Sequence, residues 1–193
     1  DKLGDKPVVV GFQNGVENMA ILPKYFSKAL YGIVTYNAWL DEAGTVGYQL
    51  RGPLVIGTPE NDLQPELARL AAVLSLGCET ILTRELKAAA HTKMVVNLTN
   101  SLTTLVGHSV RPISDRVLFQ KLLSNLTYEG VRILKASGIV EKRYGEMPPW
   151  WLMRAAATLP SFLTKKAFEK NVRKMVVSSM AQDVLTRGST STE

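Results

Sequence analysis

The chain has 193 residues, of which 46% are apolar, and its 23 Lys and Arg against 17 Asp and Glu give a net charge of +6. These values indicate a globular protein with one large or two modest domains. A single cysteine, Cys78, excludes an internal disulfide framework and indicates a reducing compartment, so we expect a cytoplasmic protein. No apolar run approaches the ~20 residues of a membrane helix, and we expect no membrane partner.

The first part of the chain predicts strands separated by glycines and turns. The runs rich in Val, Ile, Tyr and Thr are "PVVVGF" (7–12), "ALYGIVTYNAWL" (29–40), "TVGYQLRG" (45–52) and "PLVIG" (53–57). "DEAG" (41–44) is a turn, and one helix is expected near 16–26. The first strand has no earlier strand to pair with, so we expect the chain to be a piece of something longer.

The rest of the chain is predicted to be helical, apart from a strand at "CETILT" (78–83). A helix over 58–77 has Pro65 near its start and Gly77 at its end. Further helical runs cover 84–107, 114–138, 146–168 and 170–188, with Ser114 as a cap and Gly138 as a terminator. The predicted fold class is therefore α/β followed by all-α, with two domains that meet near 83–86.

A polar stripe interrupts the apolar helix over 84–107. Lys93, Asn97 and Ser101 are spaced four residues apart, which places them on one helix face. This stripe is either a solvated edge or the lining of a cleft. In a cleft, partial burial would lower the pKa of the lysine and suit it to donate a proton to a developing alkoxide.

Two further motifs are weaker. Ser179 and Asp183 lie one turn apart in "SSMAQD", where a hydroxyl could bind a carboxylate or simply face solvent. "FQNG" (12–15) is either a hairpin turn or a loop from strand to helix that presents Asn14 and Gly15 to a ligand.

Other signals narrow the possibilities. The basic run "KKAFEKNVRK" is spaced like a solvated helix face, with anion or nucleic-acid binding as the alternative, and we expect no nucleic-acid partner. Cys78, His91 and His108 do not form a metal set, so no metal site is predicted. The dinucleotide fingerprint G-x-G-x-x-G is absent from this chain.

Taken together, "FQNGVEN", "KMVVNLTNSLTTL" and "SSMAQDV…TRGSTSTE" resemble ketopantoate reductases (2-dehydropantoate 2-reductases) in order and spacing. The resemblance implies that residues 1–84 are the C-terminal part of a Rossmann-like NAD(P)-binding domain. Residues 85–193 would be a helical domain of the 6-phosphogluconate dehydrogenase C-terminal type, truncated at its C-terminal end and used for substrate binding and dimerisation.

The resemblance also implies roles for single residues. Lys93 would be the general acid, Asn14 and Gly15 would lie at the nicotinamide of NADPH, and Asn97 would orient the substrate. Ser101, Ser179 and Glu193 would bind the 2-keto acid, Ser179 through the carboxylate. The chain departs from the family pattern at His91, where a tryptophan is usual, and at Ser101, where an asparagine is common.

Two hypotheses from different classes follow. The first is an NADPH-dependent oxidoreductase of pantothenate biosynthesis or a related pathway that reduces a 2-keto acid, possible as a homodimer. The alternative is a non-catalytic helical module for dimerisation or partner binding, with "PPWWLM" (148–153) as its contact surface.

Overall fold

A computed structural model of the chain describes residues 7–50, 52–108, 110–174 and 178–187. The described residues divide into two compact units, one within Asp1–Met94 and Val140–Met147, the other within Val95–Ile139 and Pro148–Glu193. The strands are β1 (Val9–Gly11), β2 (Ala29–Val34), β3 (Asn37–Glu42), β4 (Thr45–Leu50), β5 (Leu54–Gly57) and β6 (Thr80–Leu82). The helices are α1 (Asn18–Ile21), α2 (Gln64–Leu74), α3 (Leu86–Leu105), α4 (Arg116–Ala136), α5 (Trp150–Thr158), α6 (Ser161–Lys174) and α7 (Ser179–Arg187).

The first unit is built on a four-stranded mixed sheet with strand order β1-β2-β5-β6. β1 and β2 are parallel, β2 and β5 are antiparallel, and β5 and β6 are parallel. Strands covered on both faces read as continuous apolar runs, which explains "ALYGIV" in β2 and "LVIG" in β5. β3 and β4 form a separate antiparallel hairpin, turned at Gly44 with φ +87°.

Two apolar cores cover the faces of the sheet. On one face, Tyr31 and Val55 pack against Leu86, Ala89 and Ala90 from the first half of α3. On the other face, three strand residues pack against α2, and this core consists of Leu30, Leu54, Ile56 and Leu67. The first half of α3 is therefore held in one orientation by the sheet beneath it.

A segment distant in sequence completes the first unit. The ammonium of Lys142 pairs with the carboxylate of Glu85, and the backbone N–H of Lys142 donates to the Thr92 hydroxyl at 3.2 Å. The Tyr144 hydroxyl donates to Thr83 Oγ1 at 2.7 Å. Val140–Met147 thus contacts the residues just before α3 and the first half of α3 itself. No local sequence pattern predicts this arrangement.

The second unit is helical. α4 buries one face, and Gly130 on that face allows close packing because a Cβ there would come within 2.9 Å of Leu98. Pro160 separates α5 from α6. Within the described ranges, no helix is long and apolar enough to cross a membrane.

The predicted fold class, α/β followed by all-α, is confirmed, with local corrections. The cap of α4 is Asp115, whose carboxylate accepts from the Leu118 N–H at 2.9 Å, so the prediction of Ser114 was wrong by one residue. Gly138 ends the helix with φ +74°, as predicted. The expected helix over 16–26 is only the short α1 and one 3₁₀ turn, Leu22–Lys24. The predicted division into domains at residues 84 and 85 stays a prediction, because the two compact units are defined by packing and do not define domains of the family.

Candidate active site

The centre of the candidate site is a hydrogen bond between residues 79 positions apart. Lys93 Nζ donates to Asn14 Oδ1 at 2.8 Å. Lys93 lies in the first half of α3, and Asn14 lies in the loop after β1. Both residues belong to the first unit. The fold therefore brings together two side chains that the sequence motifs singled out independently.

The loop that carries Asn14 has a defined form. Gly32 on β2 leaves room for the Phe12 ring, which a Cβ on Gly32 would approach to 2.2 Å. This contact anchors the beginning of the loop on the sheet. At its other end Gly15 has φ +91°, a left-handed conformation that favours glycine. The strand-to-helix loop is the correct alternative for "FQNG", because Asn14 and Gly15 do not turn a hairpin.

Burial changes the acidity of Lys93. It lowers the pKa of the ammonium from 10.5 to about 8. The ion pairs among the described residues do not include Lys93, so no carboxylate counteracts this effect. A lysine with a pKa near 8 is mostly protonated at neutral pH and releases its proton more readily than an exposed one, which suits general acid chemistry.

The helix around Lys93 is fixed on its other faces. Thr92 is fully buried and accepts the hydrogen bond from the Lys142 backbone. His91 Nδ1 donates to the Lys87 carbonyl at 2.7 Å. These contacts hold the backbone of α3 in place on either side of Thr92, next to Lys93.

Asn97 and Ser101 continue the stripe along α3, in the part of the helix that belongs to the second unit. Asn97 is partly buried and lies one turn after Lys93. The Ser101 hydroxyl donates to the Leu98 carbonyl of its own helix at 2.9 Å. Its oxygen can still accept a hydrogen bond, but the proton is already engaged.

The positions of the two remaining predicted residues are not tested by the described part of the structure. Ser179 is the first residue of α7, and its side chain lies outside the described part of the structure, as does Glu193. The neighbouring Ser178 was missed. Its Oγ accepts from the Ala181 N–H and lies 3.2 Å from Thr104 Oγ1. A serine directly before a helix is a cap signal, and the doubled serine obscured which of the two serves as the cap.

The described residues contain no group of three or more His, Cys, Asp or Glu able to hold an ion. In the first unit, the candidate site offers the Lys93 ammonium, the Asn14 amide and the backbone around Gly15.

Comparison with known proteins gives a consistent result. Residues 85–193 match the family model described as "Ketopantoate reductase PanE/ApbA C terminal". A 2-dehydropantoate 2-reductase from Archaeoglobus fulgidus is 35% identical over 94 residues, which are 48% of this chain and 32% of that protein.

Solved structures show the same fold at lower identity. A PanE/ApbA family ketopantoate reductase from Ralstonia eutropha has a TM-score of 0.62 at 22% identity, covering 98% of this chain and 57% of that one. D-mandelate dehydrogenase, solved with NADH and anilino(oxo)acetate, has a TM-score of 0.69 at 16% identity, with coverages of 96% and 57%. The chain thus spans less than two thirds of the length of each relative.

Proposed function

Since the chain belongs to the ketopantoate reductase PanE/ApbA C-terminal family, we propose that the protein containing it reduces a 2-keto acid, with NADPH as coenzyme. The substrate is 2-dehydropantoate or a related 2-keto acid. Residues 1–84 contribute to coenzyme binding, and residues 85–193 contribute to substrate binding. The observation that carries this proposal is the hydrogen bond from Lys93 to Asn14.

The loop after β1 is compatible with a nicotinamide. Apart from Gly15 and its two chain neighbours, no heavy atom of the described residues lies within 4 Å of the position that a Cβ on Gly15 would occupy, so a flat ring can approach the backbone there. Asn14 and Gly15 would contact this end of the coenzyme, which supplies the hydride when bound. The G-x-G-x-x-G motif is absent from the chain, so the residues present here account for the nicotinamide end only.

Lys93 donates the proton in this proposal. An ammonium has three N–H donors, and Asn14 occupies one of them, which leaves two for the ketone oxygen of the substrate. As negative charge develops on that oxygen, Lys93 stabilises it and transfers a proton from Nζ. Asn14 then continues to accept from the neutral amine, so the side chain keeps its position through the step.

The other polar residues position the substrate. Asn97 orients the 2-keto acid from the next turn of α3, and Ser101 accepts a hydrogen bond one turn further on. Ser179 binds the carboxylate, and Glu193 binds the substrate hydroxyl. Misplacing a reactive group by about 1 Å can cost about 10²-fold in rate, so these contacts affect turnover as well as affinity.

The alternative, a non-catalytic helical module, has less support. Trp151 of "PPWWLM" is 69% exposed, but its neighbour Trp150 is 3% exposed and packs into the helical unit. The family match covers the whole predicted helical part, including the stripe with Lys93. A partner-binding module has no need for a partly buried lysine paired with a distant amide.

The test compares Lys93→Ala with Lys87→Ala in the natural protein that contains this chain. We expect Lys93→Ala to lower kcat for 2-keto acid reduction by at least ~10²-fold without changing the Kd of NADPH. Lys87 lies on the same helix, but its side chain is 52% exposed and pairs with Glu60, so its variant should keep near-normal kinetics. Equal turnover in both variants contradicts the proposal.

A further inference from the structure

A cavity in the helical unit is separate from the candidate active site. It lies between the turn after α3, the start of α4 and the middle of α6, and its volume is about 300 Å³. This volume is at the lower end of the range for small-molecule pockets. Its lining consists of His108, Arg111, Pro112, Ile113, Arg116, Val117, Phe119, Gln120, Lys165, Phe168, Glu169 and Val172.

Aromatic rings form one side of the cavity. The His108 and Phe119 rings are stacked with centroids 6.1 Å apart and planes inclined by 17°. Phe168 meets Phe119 edge-on, with centroids 6.0 Å apart. Phe119 is 3% exposed, so this cluster of rings is continuous with the hydrophobic core of the unit. His108 and Phe168 are partly exposed, so they are the rings of this cluster that a planar ligand can contact.

The charges around the cavity are mainly positive. Among the described residues that line it, Arg111, Arg116 and Lys165 are cationic and Glu169 is the one carboxylate. Among the described residues, Arg116 and Lys165 take part in no ion pair. Guanidinium groups both bind anions in a bidentate manner and stack on aromatic rings. The cavity therefore offers an anionic ligand two kinds of contact.

The cavity is also held in shape. Arg111 Nε donates to the Val106 carbonyl at 3.0 Å, so its guanidinium is folded over the turn. Gly107 makes this possible, since its φ is +69° and a Cβ there would come within 2.8 Å of Arg111 Nε. On another wall, the buried Gln120 amide donates to Thr164 Oγ1 at 2.6 Å and joins α4 to α6.

We propose that this cavity binds a small planar organic anion, namely an aromatic ring that carries one carboxylate or phosphate group. The ring would pack on Phe168, and the anionic group would face Arg116 and Lys165. The site is distinct from the residues of the proposed reaction. It also gives a use to the basic run of α6, which the sequence left open between a solvated face and anion binding.

The test titrates benzoate and phenyl phosphate into the natural protein by calorimetry. We expect Kd values on the order of 1 mM for ligands of this size. Benzamide lacks the charge and cyclohexanecarboxylate lacks the ring, so both should bind at least ~5-fold more weakly. Tighter binding of phenyl phosphate than of benzoate identifies a phosphate ligand, and the reverse order identifies a carboxylate.

Variants locate the binding. Arg116→Gln combined with Lys165→Gln should weaken benzoate at least ~5-fold, since two charge-assisted contacts are lost. Lys121→Gln is the matched control, because Lys121 is an exposed cation on α4 outside the cavity and should change Kd by less than ~2-fold. Phe168→Leu should reduce the preference for benzoate over cyclohexanecarboxylate.

Two outcomes overturn this proposal. One is that neither benzoate nor phenyl phosphate binds the parent, or that the tighter of the two binds the double variant and the parent equally well. The other is that a 2-keto acid substrate displaces benzoate, which places benzoate in the active site. Lys93→Ala should leave benzoate binding intact, so a failure of the proposed reaction and a failure of this site are distinguishable.

Discussion

Replacing Lys93 by methionine should stabilise the protein while removing its activity. Burial lowers the pKa of Lys93 from 10.5 to about 8, so the folded state disfavours the charged form. At about 1.36 kcal/mol per pKa unit, this disfavour amounts to at most about 3 kcal/mol. Solvent reaches the partly buried side chain, and the hydrogen bond to Asn14 is lost, so we expect a net gain of about 1–2 kcal/mol at pH 7.

The pH dependence gives the sign of the effect. Below pH 8, Lys93 is charged in both the folded and the unfolded state, so the whole energetic cost of burying the charge is present. The penalty disappears as pH rises from about 8 to 10.5, because the folded state loses its proton first. The advantage of Lys93→Met over the parent should therefore be nearly constant from pH 6 to 7.5 and decline steadily as pH rises from about 8 to 10.5.

Urea denaturation of the natural protein at several pH values measures this difference. Lys87→Met is the control, since Lys87 Nζ pairs with Glu60 at 2.6 Å on the surface and should change stability by less than about 0.5 kcal/mol. If Lys93→Met is no more stable than the parent at pH 7, or if its advantage grows with pH, the ammonium is not desolvated as argued.

Three other predictions concern the site and the fold. The kcat/KM for reduction should fall above pH 8, where Lys93 loses its proton. Asn14→Asp should move this decline to higher pH by about one unit or more, because a carboxylate beside Lys93 Nζ favours the ammonium. An unchanged pH profile in this variant would contradict the contact between the two side chains. Asn97→Ala should lower kcat and raise KM in steady-state kinetics, whereas a residue that only faces solvent changes neither. Asp115→Ala should cost about 1 kcal/mol in thermal or urea unfolding, with Ser114→Ala as a nearly neutral control.

Local patterns predicted what depends on local physics. The 3.6-residue spacing placed Lys93, Asn97 and Ser101 on one helix, and glycine marked the end of α4 at Gly138. The cap of α4 was misplaced by one residue because serine and aspartate both cap helices well and stand side by side.

Long-range contacts were beyond these patterns. Residue spacing cannot reveal that Asn14 accepts a hydrogen bond from Lys93, because the packing of α3 on the sheet brings these two side chains together. The same is true of the burial that lowers the pKa of Lys93. The aromatic wall around Phe119 and Phe168 was also missed, since the two rings come from different helices and show no alternation within the basic run.

The return of Val140–Met147 to the first unit has a consequence for how the gene can be divided. A chain cut at residue 84 would separate Thr83 from Tyr144, and even a cut after Met94 would separate Glu85 and Thr92 from Lys142. Neither the first 84 nor the first 94 residues could then be transferred to another protein with all of their stabilising contacts. Recombination within this family is therefore expected to preserve residues 83–147 together, and a chimera that exchanges only the first 94 residues should require the donor's 140–147 to regain its stability.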